Sequence, residues 1–515
     1  MSWLTFRNKM SKWVKTDLAQ RIFELGLSLL VGLLAGLILA FSWKLSSNWR
    51  GLIILSFIGF AFVMFVNDLE KLILALLAVS VPLNLDISLV ISPYARNPEN
   101  LARGTRTLIA LTELRVSLVT ILMLLGYALW ILEYQKLGRK PARFFSSTTL
   151  PALGLVFLSI LSTFQASDFQ LALFRVAQLV ELFLMYFYLV NHLRTIEEMQ
   201  FFVMVSTGAM LAEALLMLVQ WVTGLEFIIA GIEANLYGAG RVAGTLNATG
   251  PAAGYLSAQG LITCAMIWVF PQARQKALAM LSFGVSVLAL VSTGSRIGWA
   301  AFAVTLFVFV VLGLRSGRIR QTTLLLLLVG ILIIGVGFYD VIYARYTEDD
   351  RGSAESRLMM YRLAWKMIRA RPWLGVGAGN YSLATRAYYT SDVGDAEQVL
   401  DIQVHNRYLT IWAESGTFAL LCYVGFLGIA MVHAFSCVHS SNHWIAMMGM
   451  GLGAAILSLC IQMFTGTFQV RPITLFTWFL PALASSLRYL EEESLIHEQV
   501  LEPSVRSLFM GYTAE

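Results

Sequence analysis

The chain has 515 residues, of which 58% are hydrophobic and only 13% are charged. Soluble globular domains carry about 25% charged residues, so this composition excludes an ordinary soluble protein. Repeated apolar runs of roughly 17–25 residues instead predict a polytopic helical membrane protein. These runs are too unbroken for the alternating pattern of an outer-membrane barrel. The net charge of +6 lies in short connections between the runs, where it indicates membrane orientation rather than nucleic-acid binding.

The predicted fold is all-α: a polytopic transmembrane bundle of about 12–14 helices, with one large external loop that carries short helices. A basic segment over residues 1–22, lying on the cytoplasmic surface or disordered, precedes a transmembrane domain over 23–490. A polar cytoplasmic tail follows over 491–515. The apolar windows predict spans near 24–41, 51–66, 69–86, 116–134, 150–165, 171–191, 199–223, 251–271, 277–293, 297–314, 322–339, 408–432, 444–465 and 473–489.

Basic connections between the spans predict the orientation, because positively charged loops are retained in the cytoplasm. With a cytoplasmic N-terminus, three basic connections fall inside: residues 136–143, 274–276 and 315–320. The external loop over 340–405 then faces the periplasm or the exterior. One stretch disagrees, since the arginines of residues 96–115 would also face outward. Either a span before residue 116 is miscounted, or this basic patch serves an anionic ligand.

Polar side chains at a membrane edge are candidates for chemistry, and this topology places Arg241, Arg296 and His405 on one outward face. Two guanidinium groups match phosphate oxygens in a fixed planar fork, and an imidazole can take a proton near neutral pH. Together they predict a pocket that binds a diphosphate leaving group and deprotonates a hydroxyl. Each also has a structural interpretation: Arg296 reaches to the interface, Arg241 is a solvated loop residue, and His405 anchors its helix.

The chain lacks the motifs of other chemistries. It has no Asp-x-Asp pair, no Walker loop and no Gly-x-Ser-x-Gly elbow, and its four cysteines form no Cys-x-x-Cys pair. We therefore predict neither a metal ion nor a cofactor.

Three residues of the external loop are secondary candidates. Arg357 and Arg362 are positioned for contacts to donor phosphate or sugar, with local salt bridges to acidic residues of the same loop as the favoured alternative. Asp401 would orient the ring of His405 if the following helix began early; a capping or solvated role is the alternative. Within a predicted span, Arg175 and Glu181 are interpreted as an internal pair or as side chains that reach the interface.

Four motifs occur in order over residues 240–430. They are Gly240-Arg241 with Gly244-Thr245 and the small-residue run to Tyr255-Leu256; Ser292-Thr293-Gly294-Ser295-Arg296; Arg357…Tyr361…Trp365 leading into Arg371-Pro372-Trp373-Leu374-Gly375-Val376-Gly377-Ala378-Gly379-Asn380-Tyr381; and His405-Asn406-Arg407-Tyr408-Leu409…Glu414-Ser415-Gly416. In these motifs the chain resembles the O-antigen ligase and O-antigen polymerase family of bacterial envelope glycan assembly. Where the family commonly shows an aromatic residue and a Pro-Asn pair after Gly-Thr, this chain has Leu246-Asn247-Ala248, so we assign no role to Asn247.

The resemblance implies a metal-independent glycosyltransferase of the bacterial inner membrane. Such an enzyme moves a glycan from an undecaprenyl-pyrophosphate carrier to an acceptor hydroxyl during assembly of O-antigen, capsule or exopolysaccharide. Arg241 and Arg296 match the family's pyrophosphate-binding arginines, and His405 matches its candidate general base. The sequence does not separate a ligase from a polymerase.

The partners implied are the lipid-linked donor, a glycan or lipid-linked acceptor, membrane lipids and other envelope-polysaccharide assembly proteins, and no nucleic acid. Two alternatives from other classes remain open. A transporter or flippase for a solute or lipid-linked sugar would place its charged sites near the bilayer midplane. An accessory scaffold of the envelope machinery would tolerate alanine at all three site residues.

Overall fold

The computed structural model describes residues 69–83, 86–91, 113–137, 142–144, 146–229, 232–347 and 353–510. The chain divides into two units, and the larger one, made of residues 73–228 and 232–515, contains the candidate sites discussed below. Of the smaller unit, residues 1–72 with 229–231, the structure describes residues 69–72 and 229. The predicted spans 24–41 and 51–66 and most of the basic segment 96–115 lie outside the described residues.

Sixteen helices and six short strands occupy the described residues. The helices are α1 Leu69–Ser80, α2 Leu118–Leu137, α3 Thr149–Ser162, α4 Phe169–His192, α5 Ile196–Thr223, α6 Thr249–Val269, α7 Ala273–Ser292, α8 Arg296–Arg315, α9 Gln321–Gly337, α10 Tyr339–Thr347, α11 Ser353–Ala370, α12 Tyr381–Tyr388, α13 Arg407–Ser415, α14 Thr417–Ser436, α15 His443–Gln462 and α16 Arg471–Met510. The strands are β1 Asp86–Ile91, β2 Glu113–Ser117, β3 Phe227–Ile229, β4 Ile232–Ala234, β5 Leu236–Tyr237 and β6 Arg241–Val242.

The all-α, polytopic prediction is confirmed. Within the described residues, seven helices are long and apolar enough to cross a membrane: α4, α5, α6, α7, α8, α14 and α15, with the 3-10 turn at the end of α14 included. Three predicted spans differ in detail. The span 69–86 ends at Ser80, the span 473–489 is part of a helix that continues to Met510, and the span 408–432 is broken at Gly416.

Helices α6 and α15 form the centre of the bundle, and 83% of the membrane-length window of each is buried. Polar side chains join them: Ser257 of α6 accepts a hydrogen bond from Gln462 Nε2 at 2.9 Å and another from Ser458 Oγ at 3.1 Å. Hydrogen bonds between transmembrane helices stabilise their association, because neither group finds water within the bilayer. The two helices thus provide a fixed frame for the segments at their ends.

The helices alternate in direction, so their connections gather at two ends of the bundle. We call one the loop end; it holds the described part of 81–117 and residues 162–169, 223–228, 232–249, 292–296 and 462–471, with the described part of 338–416. Hydrogen bonds across it join Arg371 to Gln165, Asp168 to Asn380, Ser162 to Glu414 and Arg407 to Met463. The basic end holds the other connections, including Arg143 and residues 274–276 and 315–320. The described parts of the three basic connections therefore share one end.

The external loop has an apolar core of its own. Its helix α11 is amphipathic, with Met360, Leu363, Ala364, Met367 and Ile368 buried at the i, i+3, i+4 spacing of one helix face. This face packs against α12, α13 and the segments between them, including Val404. His405 therefore directly follows a residue that is anchored in a packed core.

The break at Gly416 is where the external loop docks on the bundle. Gly416 has φ +86°, and a Cβ atom there would overlap the carbonyl oxygen of Trp373. Backbone hydrogen bonds reinforce the contact: Thr417 N donates to Pro372 O at 2.8 Å, and Val376 N donates to Ala413 O at 2.8 Å. The prediction of one continuous helix is wrong here because glycine lets the chain turn against the 371–377 segment.

Candidate functional site

Arg241 lies against the turn between α7 and α8. A Cβ atom on Gly294, where φ is +63°, would be 2.6 Å from Arg241 Cδ. Arg345 of the external loop reaches the same turn, and its Nε donates to the carbonyl oxygen of Gly294 at 2.9 Å. Arg296 begins α8 two residues further along. We call Arg241, Arg296 and Arg345 the arginine cluster; all three side chains are partly buried.

A buried carboxylate fixes the backbone that carries Arg241. Glu213 of α5 is 4% exposed, and it accepts hydrogen bonds from the backbone N–H of Thr245 and from the Thr245 hydroxyl, both at 2.7 Å. The Gly244-Thr245 motif is therefore an anchor for this segment. The sequence did carry a signal for this anchoring role, namely a single glutamate within an apolar span.

His405 occupies the second cluster of the loop end, which we call the His405 cluster and which also contains Arg357 and Tyr361. The hydroxyl of Tyr361 lies 3.3 Å from the carbonyl oxygen of His405. Burial, and then the positive charge of Arg357, lower the pKa of His405 below its ordinary value of 6.5. The imidazole is therefore neutral near pH 7, the form that can accept a proton.

The start of α6 links the two clusters. Two residues after Arg296 in α8, a Cβ atom on Gly298 would be 2.6 Å from Ala253 Cβ of α6. The next residue, Gly254, lies against the ring of Phe468. In the same connection, the carbonyl oxygen of Phe464 is 2.9 Å from the Tyr361 hydroxyl of the His405 cluster. Both clusters therefore lie at the loop end, on either side of the start of α6 and the 463–468 connection.

The two residues after His405 fix the position of its backbone. Asn406 caps α13, since its side chain accepts a hydrogen bond from Leu409 N at 3.0 Å. Arg407 is 3% exposed; its backbone N–H donates to Met463 O at 2.9 Å, and its guanidinium lies 6.0 Å from the centre of the Tyr423 ring. The polar motif at this position is thus largely structural, and it holds the imidazole on a rigid helix start.

The secondary candidates differ in position. Arg357 interacts electrostatically with His405, whereas Arg362 is exposed on α11. Asp401 has φ +61° and forms an ion pair with Arg386, whose Nε lies 2.9 Å from Asp401 Oδ1. Asp401 was expected to orient the ring of His405 only if the following helix began early. That condition is not met, because α13 begins at Arg407.

Of the two interpretations of Arg175 and Glu181, the internal pair is wrong. Glu181 pairs with Arg471 at the start of α16, and Arg175 donates to Gln178. Two further participants were missed by sequence reasoning. Arg345 sits in a short exposed helix without any motif, and Glu414 interacts electrostatically with Arg175 and Arg407 from within α13.

The loop end therefore combines fixed guanidinium groups with a neutral imidazole. Guanidinium groups suit the binding of phosphate oxygens, and a neutral imidazole suits proton abstraction. Among the described residues, no group of three or more His, Cys, Asp and Glu side chains is arranged to hold a metal ion. Fold and site together define a multi-pass membrane protein with guanidinium groups and a neutral imidazole at one end of its bundle.

The family model described as O-antigen ligase matches residues 281–424. The resemblance predicted from the motifs is thereby confirmed over that stretch, which supports a role in membrane glycan ligation or polymerisation. It contains Arg296, Arg345, Arg357 and His405, whereas Arg241 precedes it. A search of curated proteins finds no significant match.

Proposed function

We propose that this protein transfers or polymerises glycan from an undecaprenyl-pyrophosphate carrier onto an acceptor hydroxyl of a cell-envelope polysaccharide. The observation that carries the proposal is the convergence of Arg241 and Arg345 on Gly294, next to Arg296, at the end of the bundle that also holds His405. Three guanidinium groups on one turn suit a diphosphate, which leaves with two or more negative charges.

In the proposed reaction, His405 accepts the proton of the acceptor hydroxyl while its oxygen forms a bond to the anomeric carbon of the donor sugar. The bond from that carbon to the diphosphate oxygen breaks, and the arginine cluster stabilises the departing lipid diphosphate. A positioned base contributes about 10²–10⁴-fold to such a step. Charge stabilisation of the leaving group by fixed donors contributes about 10²–10³-fold per donor.

We further propose that the loop end faces the periplasm or the exterior of a bacterial inner membrane. The basic residues gathered at the opposite end support this orientation: Arg143, Arg194, Arg274, Lys276, Arg315, Arg318 and Arg320. Short basic connections of inner-membrane proteins remain in the cytoplasm. A donor assembled on a lipid carrier and presented outside the cytoplasm would meet the site directly.

The test is transfer by the purified protein in liposomes that contain an undecaprenyl-pyrophosphate-linked glycan and an acceptor. His405→Ala should lower the rate of transfer by about 10²–10⁴-fold, with donor binding retained. Arg241→Gln and Arg296→Gln should each lower it by about 10²–10³-fold and weaken donor binding. Transfer should persist in EDTA, because the proposal involves no metal ion. Undiminished transfer by the His405 variant would remove the base assignment.

The same liposomes distinguish the transporter alternative. Uptake of a solute or lipid-linked sugar without any change in the glycan would favour it. Absence of transfer by the unmodified protein, together with intact polysaccharide in cells whose protein has alanine at Arg241, Arg296 and His405, would favour the scaffold alternative.

A further inference from the structure

A cavity of about 180 Å³ opens at the loop end, next to the start of α16. Its lining residues are mostly polar: Asp86, Arg115, Thr120, Arg175, Gln178, Glu181, Asn247 and Arg471, with Leu114, Val116, Phe174, Ala177 and Val470 as the apolar remainder. This volume is sufficient for one sugar ring.

The position of the cavity relates it to both clusters. Asn247 lies three residues beyond Gly244, in the segment that carries Arg241, and it adopts a left-handed conformation with φ +64°. On the other side, Arg175 interacts electrostatically with Arg407, two residues after His405. The cavity is thus joined to the segment of Arg241 through Asn247 and to α13, which follows His405, through Arg175.

The charges of the lining balance except at one residue. Arg115 pairs with Asp86 at 3.1 Å, and Arg471 pairs with Glu181. Arg175 is 4% exposed, and the hydrogen bond that its guanidinium makes within the described residues is to the neutral side chain of Gln178. Glu414 interacts electrostatically with Arg175, but it interacts with Arg407 as well. Three arginines and two carboxylates leave the lining with one excess positive charge.

A buried guanidinium with incomplete compensation is unfavourable in the free protein, and an anion in the cavity would relieve it. The remaining side chains, two carboxylates, two amides and a threonine hydroxyl, accept and donate hydrogen bonds as sugar hydroxyls require. Phe174 adds an apolar surface of the kind on which a sugar ring can lie.

We infer that this cavity binds a single sugar ring that carries one carboxylate, a uronic-acid residue of the glycan, with Arg175 as its charge partner. This inference rests on the proposed glycan transfer. The lining favours an acidic sugar over the carrier's diphosphate for two reasons. First, the lining has one excess positive charge, which matches one carboxylate and not the two or three negative charges of a diphosphate. Second, Asp86 and Glu181 would repel phosphate oxygens, whereas they can accept hydrogen bonds from sugar hydroxyls.

The test is binding of two matched probes, methyl β-glucuronide and methyl β-glucoside, to the full-length protein in nanodiscs by saturation-transfer NMR. The two probes differ only in the carboxylate, so the glucuronide should bind roughly tenfold or more tightly, the scale of one charged hydrogen bond. Arg175→Gln should abolish that difference. Since this buried variant can fail to fold, Ala177→Leu provides a second test that fills the cavity, keeps every charge and should exclude both probes.

Arg296→Gln separates this inference from the proposed function. It should weaken binding of inorganic pyrophosphate and leave glucuronide binding intact, whether or not glycan transfer itself is detected. Equal binding of the two probes to the unmodified protein would overturn the inference. So would displacement of the glucuronide by pyrophosphate together with loss of both in Arg175→Gln, because the cavity would then be the diphosphate site.

Discussion

Arg241 and Gly294 are in direct contact, although 53 positions separate them in the sequence: the Cδ atom of the arginine lies where only a residue without a side chain leaves room. The left-handed φ of +63° at Gly294 aims its carbonyl oxygen at Arg345 Nε. One glycine therefore sets the position of two guanidinium groups.

A methyl group at Gly294 should disable the site without changing its charge. In Gly294→Ala the new Cβ displaces Arg241 and strains the turn, so we expect transfer to fall by about 10²-fold, the scale of one misplaced donor. The rate of glycan transfer in liposomes measures this. Gly284→Ala is the matched control, because Gly284 lies in α7 with open space around it. Equal rates in the two variants would show that the Arg241 contact is dispensable.

The pH dependence of transfer should report the environment of His405. Because burial and the Arg357 charge lower its pKa, the acidic limb of the rate profile should lie below pH 6.5. Arg357→Gln removes one of the two causes, which raises the pKa and moves the limb upward toward 6.5. Arg362→Gln, an exposed neighbour on the same helix, should leave the limb where it is. A limb that Arg357→Gln does not move, or moves downward, would contradict the proximity of this pair.

Docking of the external loop should depend on Gly416. In Gly416→Ala the added Cβ overlaps the Trp373 carbonyl oxygen and the φ of +86° is strained, so we expect a loss of about 2–4 kcal/mol in stability. The midpoint of thermal unfolding of the purified protein measures it. Gly428→Ala, at an uncrowded position in α14, should unfold at nearly the unmodified temperature. A midpoint for Gly416→Ala as high as that of this control would argue that the break is not a docking point.

Asp401 should behave as one half of a surface ion pair. Its partner Arg386 has a side chain that is 50% exposed, and such pairs contribute about 0–1 kcal/mol. We expect Asp401→Asn to change the transfer rate by less than about threefold, with the pH profile unshifted. A large drop in rate, or a shifted acidic limb, would instead support the orienting role considered for this residue.

The sequence predicted the parts of the fold that depend on hydrophobic length. Helices such as α5 and α8 follow from apolar runs that only a bilayer accommodates, and counting them placed Arg241, Arg296 and His405 at one end. Counting the spans is sufficient because each span crosses the membrane once, so the number of spans between two connections determines whether they lie at the same end of the bundle. The role of His405 as a base remains a prediction. Its burial and the nearby charge of Arg357 support this role, because both lower the pKa of the imidazole.

The contacts between distant segments were beyond the sequence. The run from Tyr408 to Val432 is interrupted by the polar residues Glu414-Ser415-Gly416-Thr417, a local helix-stop signal that the predicted span passed over; what the sequence could not show is that Trp373 crowds against this turn. The pairing of Glu181 with Arg471 joins residues 290 positions apart, whereas the sequence analysis considered only Arg175, in the same predicted span, as a partner. Arg345 joined the arginine cluster only through the fold of the external loop.

The separate core of the external loop has a consequence for how proteins of this architecture can change. Side chains such as Leu363 and Met367 pack among loop residues and not among the membrane helices. Insertions or exchanges in this segment can therefore accumulate while the bundle remains intact, as long as the turn at Gly416 is kept. New acceptor preferences could arise by remodelling this one lobe around an unaltered intramembrane scaffold.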